Sequence, residues 1–235
     1  MAGSFTAEVT SAFYFDLGSP LAYLASERVL HALGGRARVN AEWQPVLARE
    51  LSQAESFEAY RCRTEEEIFR AEVERAARTQ DLQPLKWPSP FPFDSALAMR
   101  VATYAKSIGR TVPFAQAAFR QAFAGGHSLE DPDFVLIAAA ACEMHPAAVL
   151  KAADLRSVGE RLSATTALAA AAGVSGVPAV RVGERVFVGE QRRGASAARD
   201  DQPVGAVGLH RAFAPPACSS VSPRLASAGL ASSSA

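Results

Sequence analysis

The chain of 235 residues carries 24 lysine and arginine residues against 24 aspartate and glutamate residues, so its formal net charge is zero. This balance excludes the strong positive field that draws proteins to nucleic acid or to anionic membranes, and we expect neither partner. Hydrophobic residues make up 49% of the chain, enough to bury a core at this length. The sequence shows neither a basic leader nor a long apolar run, and we expect a soluble, cytoplasmic protein.

Neither the cysteines nor the histidines form a recognisable site in the sequence. The cysteines are far apart, odd in number and outside any CxxC or metal-type spacing, which argues against a disulfide framework and a dithiol redox centre. No histidine stands four residues from another histidine or from a cysteine, as helical metal ligands often do. We therefore expect structural thiols and no bound metal; the cysteines are Cys62, Cys142 and Cys218.

The first predicted elements form a βαβ unit. The apolar, aromatic stretch 12–17 is typical of a buried strand, and a helix follows at once. Ser19 can cap this helix and Pro20 suits its first position, where the missing N–H costs nothing. Residues 37–46 alternate and predict a second strand. A right-handed crossover makes the two strands parallel and puts the helix start at the carboxyl edge of the sheet.

The next long segment is predicted to be helical. Thr64 and Glu67 have the spacing of a capping box that opens a helix. The run "LQPLKWPSPFPFDS" interrupts the helices, because its prolines forbid regular helix, and Asp94 or Ser95 is expected to cap the helix that follows. Further helices continue to about residue 172. After Gly173 the sequence changes to valine-rich stretches, which predict a β-hairpin with its turn at Gly183 and Glu184.

These elements, in this order, resemble a known family. The stretches "FYFDLGSPLAYLA", "FPFDSALAMR" and "GVSGVPAV" are similar to the 2-hydroxychromene-2-carboxylate isomerases and kappa-class glutathione transferases, a branch of the thioredoxin-like disulfide-oxidoreductase (DsbA) family. The resemblance covers about residues 12–193. It implies an α/β thioredoxin-like fold from 12–46 and 173–193, with a large all-helical insertion domain over 47–172. The low-complexity stretch 194–235 predicts a disordered tail.

The same resemblance implies a thiol site. Its disulfide oxidoreductases have a CxxC pair where this chain has Ser19, so Ser19 is expected to hydrogen-bond the thiolate of bound glutathione or of another small thiol. Val177 and Pro178 are expected to meet that helix start through a cis peptide bond and to bind the cysteinyl part of the thiol. Gln191 and Arg192 occupy the positions that hold the γ-glutamyl end. The chain departs from the family pattern at Gln191, where aspartate is usual, and at Ala22, where serine is usual.

The resemblance implies an enzyme that acts on a small aromatic substrate. Trp87, Phe93 and Asp94 of the proline-rich loop are the predicted wall of its pocket, although an aspartate before a helix is more often only a cap. The leading interpretation is a glutathione-dependent isomerase acting on an intermediate of aromatic degradation. A kappa-class-like glutathione transferase is the alternative within the enzymes, and a non-catalytic, cysteine-less binding module is the alternative outside them. A homodimer is left open.

Overall fold

The computed structural model of the chain describes residues 11–33, 41–52 and 63–189. Within these ranges the strands are β1 (Ser11–Phe15), β2 (Ala41–Pro45), β3 (Ala179–Val182) and β4 (Arg185–Val188). The helices are α1 (Pro20–Leu33), α2 (Arg63–Thr79), α3 (Ala96–Ser107), α4 (Thr111–Phe123), α5 (Pro132–Ala140), α6 (Pro146–Asp154) and α7 (Arg156–Ala171), with a short 3-10 helix at Ala48–Glu50.

The strands form one mixed sheet in the order β2-β1-β3-β4. β1 runs parallel to β2, with Phe13 opposite Trp43, as the βαβ crossover requires. β3 is antiparallel to β1 and pairs in turn with β4. The two residues between β3 and β4 include Gly183 with a φ of 60°, where a glycine avoids the strain that a side chain would bring. The predicted α/β thioredoxin-like fold is confirmed.

The side chains of β1 point alternately into two clusters of core residues, one on each face of the sheet. Phe13 and Phe15 point to the larger cluster, where the ring centroid of Phe13 lies 4.9 Å from that of Trp43. Ala12 and Tyr14 point to the opposite cluster, as the period of two along a strand demands. In the helical layer, α4 packs on α1 and α5, while α3 packs on α4, α6 and α7. Among the described residues, none of the helices has the length and hydrophobicity of a membrane span.

The predictions for the helical segment and for the end of the chain have different outcomes. α2 begins at Arg63, so Thr64 lies inside the helix and the predicted capping box is wrong; Glu67 instead pairs with Arg63 at 3.1 Å. The proline-rich run is irregular as predicted, and its Ser89-Pro90 and Phe91-Pro92 bonds are cis. Predictions for Gln191, Arg192 and the tail 194–235 lie outside the described residues.

Candidate functional site

Ser19 lies where the chain turns from β1 into α1. Its backbone N–H donates to the carbonyl oxygen of Asp16 at 3.0 Å, and its own carbonyl accepts the first helical bond, from Tyr23 N–H, at 3.0 Å. The Ser19 Oγ accepts the N–H of Ala22 at 3.2 Å. Ser19 is therefore the N-cap of α1, and the helix starts at Pro20 as the sequence predicts. This places a hydroxyl at the positive end of the helix dipole.

The Ser19 hydroxyl is covered in this structure. The residue is 1% exposed, and Ser19 does not line either of two clefts elsewhere on the surface. One, of about 280 Å³, lies between the proline-rich loop and the start of α5, and the other, of about 350 Å³, lies along the first turns of α2. A ligand atom reaches the Ser19 hydroxyl only after the groups that cover it move.

Asp16 is a buried acid that begins this turn of residues 16–19, the Ser19 turn, and no role for it was predicted from the sequence. Its Oδ1 accepts the N–H of Gly18 at 2.9 Å, and its Oδ2 accepts the N–H of Ala48, just after β2, at 2.8 Å. The Ser95 hydroxyl, at the start of α3, donates a third hydrogen bond. Burial raises the pKa of this carboxyl above 3.8, although the Ser95 hydrogen bond, the two amides and the charge of Arg49 oppose the rise.

The stability of the fold is expected to depend on pH through Asp16. Because the folded-state pKa is raised, the folded chain holds this proton more tightly than the unfolded chain does, and stability is lost as pH rises from the ordinary value of 3.8 through the folded pKa. Urea unfolding of the wild type and of Asp16→Asn, from acidic to neutral pH, measures this. The wild type is expected to lose stability relative to the variant across that window. A difference between them that does not change with pH would contradict the prediction.

The Val177-Pro178 peptide bond is cis, which confirms the geometry expected from the resemblance. Tyr14 of β1 lies opposite Ala179 of β3. Continuing this antiparallel register puts Pro178 opposite Phe15 and Val177 opposite Asp16. Val177 therefore lies at the same edge of the sheet as the turn that carries Ser19. The structure brings together two segments that are far apart in the sequence.

Gly189 holds the other side of Pro178. Its N–H donates to the Pro178 carbonyl at 2.7 Å, and a Cβ added at Gly189 would lie 2.9 Å from Pro178 Cγ and 3.2 Å from the carbonyl oxygen. We expect Gly189→Ala to lower the free energy of unfolding by about 1 to 3 kcal/mol, because the proline must shift. Urea denaturation measures the loss. A loss of less than about 0.5 kcal/mol, the size of an ordinary surface substitution, would show that the contact relaxes freely.

The predicted pocket residues have different surroundings. Phe93 is 7% exposed and packs against Phe123 in the core. Trp87 is part-buried, donates its indole N–H to Glu74 at 2.8 Å and lies under the guanidinium of Arg70. These contacts explain both aromatic side chains as packing residues. Neither borders the clefts described above, and their role in binding substrate stays a prediction.

Asp94 lies nearer to the Ser19 turn. It forms an ion pair with Arg49 at 2.9 Å and caps α3 by accepting the N–H of Ala96 at 3.0 Å. The next residue, Ser95, packs closely on the turn: a Cβ added at Gly18 would lie 3.3 Å from the Ser95 Cβ. The start of α3 therefore abuts the start of α1, and the Arg49–Asp94 pair flanks the site.

The described residues hold no group of three or more histidine, cysteine, aspartate or glutamate side chains that could bind a metal ion. Cys142 is a free, buried thiol after α5. Burial raises its pKa, and a thiol with a raised pKa is a poor nucleophile at neutral pH. Cys62 and Cys218 lie outside the described residues. Where the chain turns from β1 into α1, the side chain is a hydroxyl and not a thiol.

A model of the DSBA-like thioredoxin domain family matches residues 11–198. The chain therefore belongs to this family. Its broad functional class is that of the thiol-dependent enzymes. A comparison with curated proteins found no match.

Solved structures share the fold at low sequence identity. A 2-hydroxychromene-2-carboxylate isomerase has a TM-score of 0.67 and 18% identity, over 76% of this chain and 88% of that chain. A probable DsbA oxidoreductase from Streptomyces coelicolor has a TM-score of 0.61 and 18% identity, over 77% and 83%. The cytosolic disulfide reductase DsbM from Pseudomonas aeruginosa with GSH has a TM-score of 0.54 and 14% identity, over 77% and 89%.

Proposed function

We propose that the chain is a glutathione-dependent isomerase of the 2-hydroxychromene-2-carboxylate isomerase type, or one that uses another small thiol in the same way. The observation that carries the proposal is the hydroxyl of Ser19 as N-cap of α1, at the sheet edge where the cis Val177-Pro178 bond also lies. A thiol-dependent fold that carries a hydroxyl in place of a thiol at this position is suited to assist a borrowed thiol, once the groups that cover the hydroxyl have moved. The fold it shares with a 2-hydroxychromene-2-carboxylate isomerase supports the choice of reaction.

The residues at the start of α1 fit an anionic sulfur. A helix N-terminus carries about half a positive charge, which favours a thiolate over a thiol. The Ser19 hydroxyl accepts one hydrogen bond, from Ala22 N–H, and its own proton remains to be donated to a sulfur. A hydrogen bond to an ion contributes about 1.5 to 3 kcal/mol, or roughly one to two pKa units. Ser19 assists the nucleophile and is not itself one.

Bound glutathione would supply a thiolate that adds to a ring carbon of the substrate and is released again after the opened ring has rotated. The chain's own part is to hold and polarise that sulfur. Ser19 donates to it, and Val177 offers its backbone to the cysteinyl part of the thiol. Gln191 and Arg192 are proposed to hold the γ-glutamyl end. The small aromatic substrate is proposed to lie between the sheet edge and the helical insertion, beside Asp94.

Calorimetric titration of the full chain with glutathione and with other small thiols tests the first half of the proposal. We expect saturable binding of at least one thiol, and weaker binding by Ser19→Ala. The second half is tested by assaying the thiol-loaded protein with 2-hydroxychromene-2-carboxylate and, separately, with a standard electrophile for glutathione transferases. Isomerisation supports the proposal, whereas conjugation alone favours a kappa-class-like transferase. If no thiol gives a heat of binding and neither substrate is turned over, a binding module without catalysis becomes the better interpretation.

A further inference from the structure

Asp16 joins three segments of the chain behind the Ser19 turn. Its carboxylate accepts hydrogen bonds from Gly18 within the turn, from Ala48 after β2 and from Ser95 at the start of α3. The side chain is 4% exposed, so water does not replace these bonds. Burying an acid at this depth costs free energy unless its oxygens are hydrogen-bonded, and these contacts offset that cost.

Asp16 also supplies most of the hydrogen bonds that hold the turn. Its main-chain carbonyl accepts the N–H of Ser19, and its Oδ1 accepts the N–H of Gly18. The remaining amide of the turn, that of Leu17, donates to the sulfur of Met99 at 3.2 Å, and a thioether is a weak acceptor. Two of the three successive amides that lead into α1 are thus held by this one residue.

We propose that Asp16 is a positioning residue: its carboxylate fixes the turn so that the Ser19 hydroxyl points to the sulfur of a bound thiol, an inference that rests on the proposed function of Ser19. The carboxylate acts through the Gly18 amide within the turn. The bonds to Ala48 and Ser95 anchor that carboxylate to β2 and α3, which are parts of the packed core. These bonds therefore restrict the motion of the turn relative to the sheet and to the helical layer.

The chemistry of the three donors explains why an acid is required. Gly18 and Ala48 each present an N–H and Ser95 presents an O–H, so the group between them must be an acceptor on both of its ends. A carboxylate meets this demand. An asparagine of the same shape turns an amide NH₂ towards one of the donors, which leaves that donor without an acceptor. Asp16→Asn therefore breaks the arrangement while it conserves volume.

Thr166→Val is the matched control. The Thr166 Oγ1 accepts the N–H of Leu47 at 3.0 Å, next to the Ala48 amide that Asp16 binds. Each variant alters a buried side chain that accepts a hydrogen bond from one of two neighbouring amides, those of Leu47 and Ala48. Each also replaces that side chain by one of similar shape. The Thr166 hydroxyl hydrogen-bonds Leu47 and the carbonyl of Leu162, outside the turn at residues 16–19, and has no part in the proposed chemistry.

The first measurement is amide hydrogen exchange, which needs neither ligand nor activity. In Asp16→Asn we expect exchange at Gly18, Ser19 and Ala22 to be about tenfold to hundredfold faster, with α4 amides such as that of Phe119 little changed. In Thr166→Val the three turn amides should keep their wild-type rates. Equal acceleration of all amides in Asp16→Asn, or none at the turn, would overturn the proposal.

The second measurement is a double-mutant cycle in thiol-dependent turnover. Asp16→Asn and Ser19→Ala are each expected to lower kcat/KM about tenfold or more, and the double variant is expected to be no worse than Ser19→Ala alone, because Asp16 acts through Ser19. Additive losses would show that Asp16 acts independently of Ser19, and would overturn the proposal. If the wild type shows no thiol-dependent turnover, the proposed function fails, and the exchange data alone decide whether Asp16 holds the turn.

Discussion

Replacing Ser19 by alanine is expected to lower thiol-dependent turnover about tenfold to hundredfold. The variant loses the hydroxyl proton that is proposed to bind the thiolate, a hydrogen bond to an ion worth about 1.5 to 3 kcal/mol. Each 1.4 kcal/mol corresponds to roughly a factor of ten in rate when the interaction is made in the transition state. Steady-state assays at saturating thiol and over a range of pH measure the effect. The loss should shrink as pH rises, because the thiolate then forms without assistance.

The same variant also loses a helix cap. The Ser19 Oγ no longer accepts the N–H of Ala22, and such a loss costs about 1 kcal/mol of stability. Ser26→Ala is the control, because Ser26 lies on the same helix, is fully buried and donates its hydroxyl to the Tyr23 carbonyl at 2.7 Å. We expect this control to lose a similar amount of stability and to keep its turnover.

The comparison of the two serine variants separates catalysis from capping. If both lose turnover in proportion to stability, Ser19 is only a cap, and the module without catalysis becomes the better interpretation. If Ser19→Ala keeps both thiol binding and turnover, the proposed role of its hydroxyl is wrong. A selective loss in Ser19→Ala supports the proposed function.

The fold was predictable because its signals are local. Pro20 after a capping serine defines the start of α1, and a glycine between two valine-rich stretches defines the hairpin turn, whichever residues pack around them. The mixed sheet then follows from the crossover rule and from the resemblance. The boundary of α2 was missed, because a capping box is a short pattern and the helix begins before it, at Arg63.

The candidate site was less predictable, because its contacts join distant parts of the chain. Asp16 is visible in the sequence as an acid directly after an apolar strand, three residues before the capping serine. That signal gives no partner: Ala48 comes 32 residues later, and Ser95 belongs to the helical insertion. Phe93 illustrates the opposite case. In an irregular, proline-rich loop no periodicity tells which way a side chain points, and this ring faces the core.

The proline-rich loop is held to the helical layer by the aromatic ring of Phe123. This residue ends α4, is fully buried, and its carbonyl accepts the N–H of Lys86 at 2.8 Å. Its ring centroid lies between 5.7 and 6.5 Å from those of Tyr23, Trp87, Phe91 and Phe93. Aromatic contacts of this kind add to the free energy gained from burial. The ring of Phe123 therefore contacts both α1, through Tyr23, and the loop.

Phe123→Ala is therefore expected to lower the free energy of unfolding by about 3 to 5 kcal/mol, through lost burial and the cavity that remains. Urea denaturation measures the loss. Phe187→Ala, which removes a ring that is 42% exposed on β4, is the control and is expected to cost much less, since its surroundings are partly solvent. Similar losses in the two variants would contradict the prediction. A loss below about 1 kcal/mol in Phe123→Ala would show that the loop collapses into the cavity.

The effect of Phe123→Ala is expected to reach the candidate site through the loop. Phe93 packs on Phe123, and the chain continues from Phe93 through Asp94 to Ser95, which hydrogen-bonds the Asp16 carboxylate behind Ser19. A loop that loses its aromatic anchor therefore loosens one of the three donors that hold this carboxylate. We expect faster amide exchange at Gly18 in Phe123→Ala, in conditions where the variant is still folded. Unchanged exchange there would show that the capping contacts of α3 hold Ser95 without help from the loop.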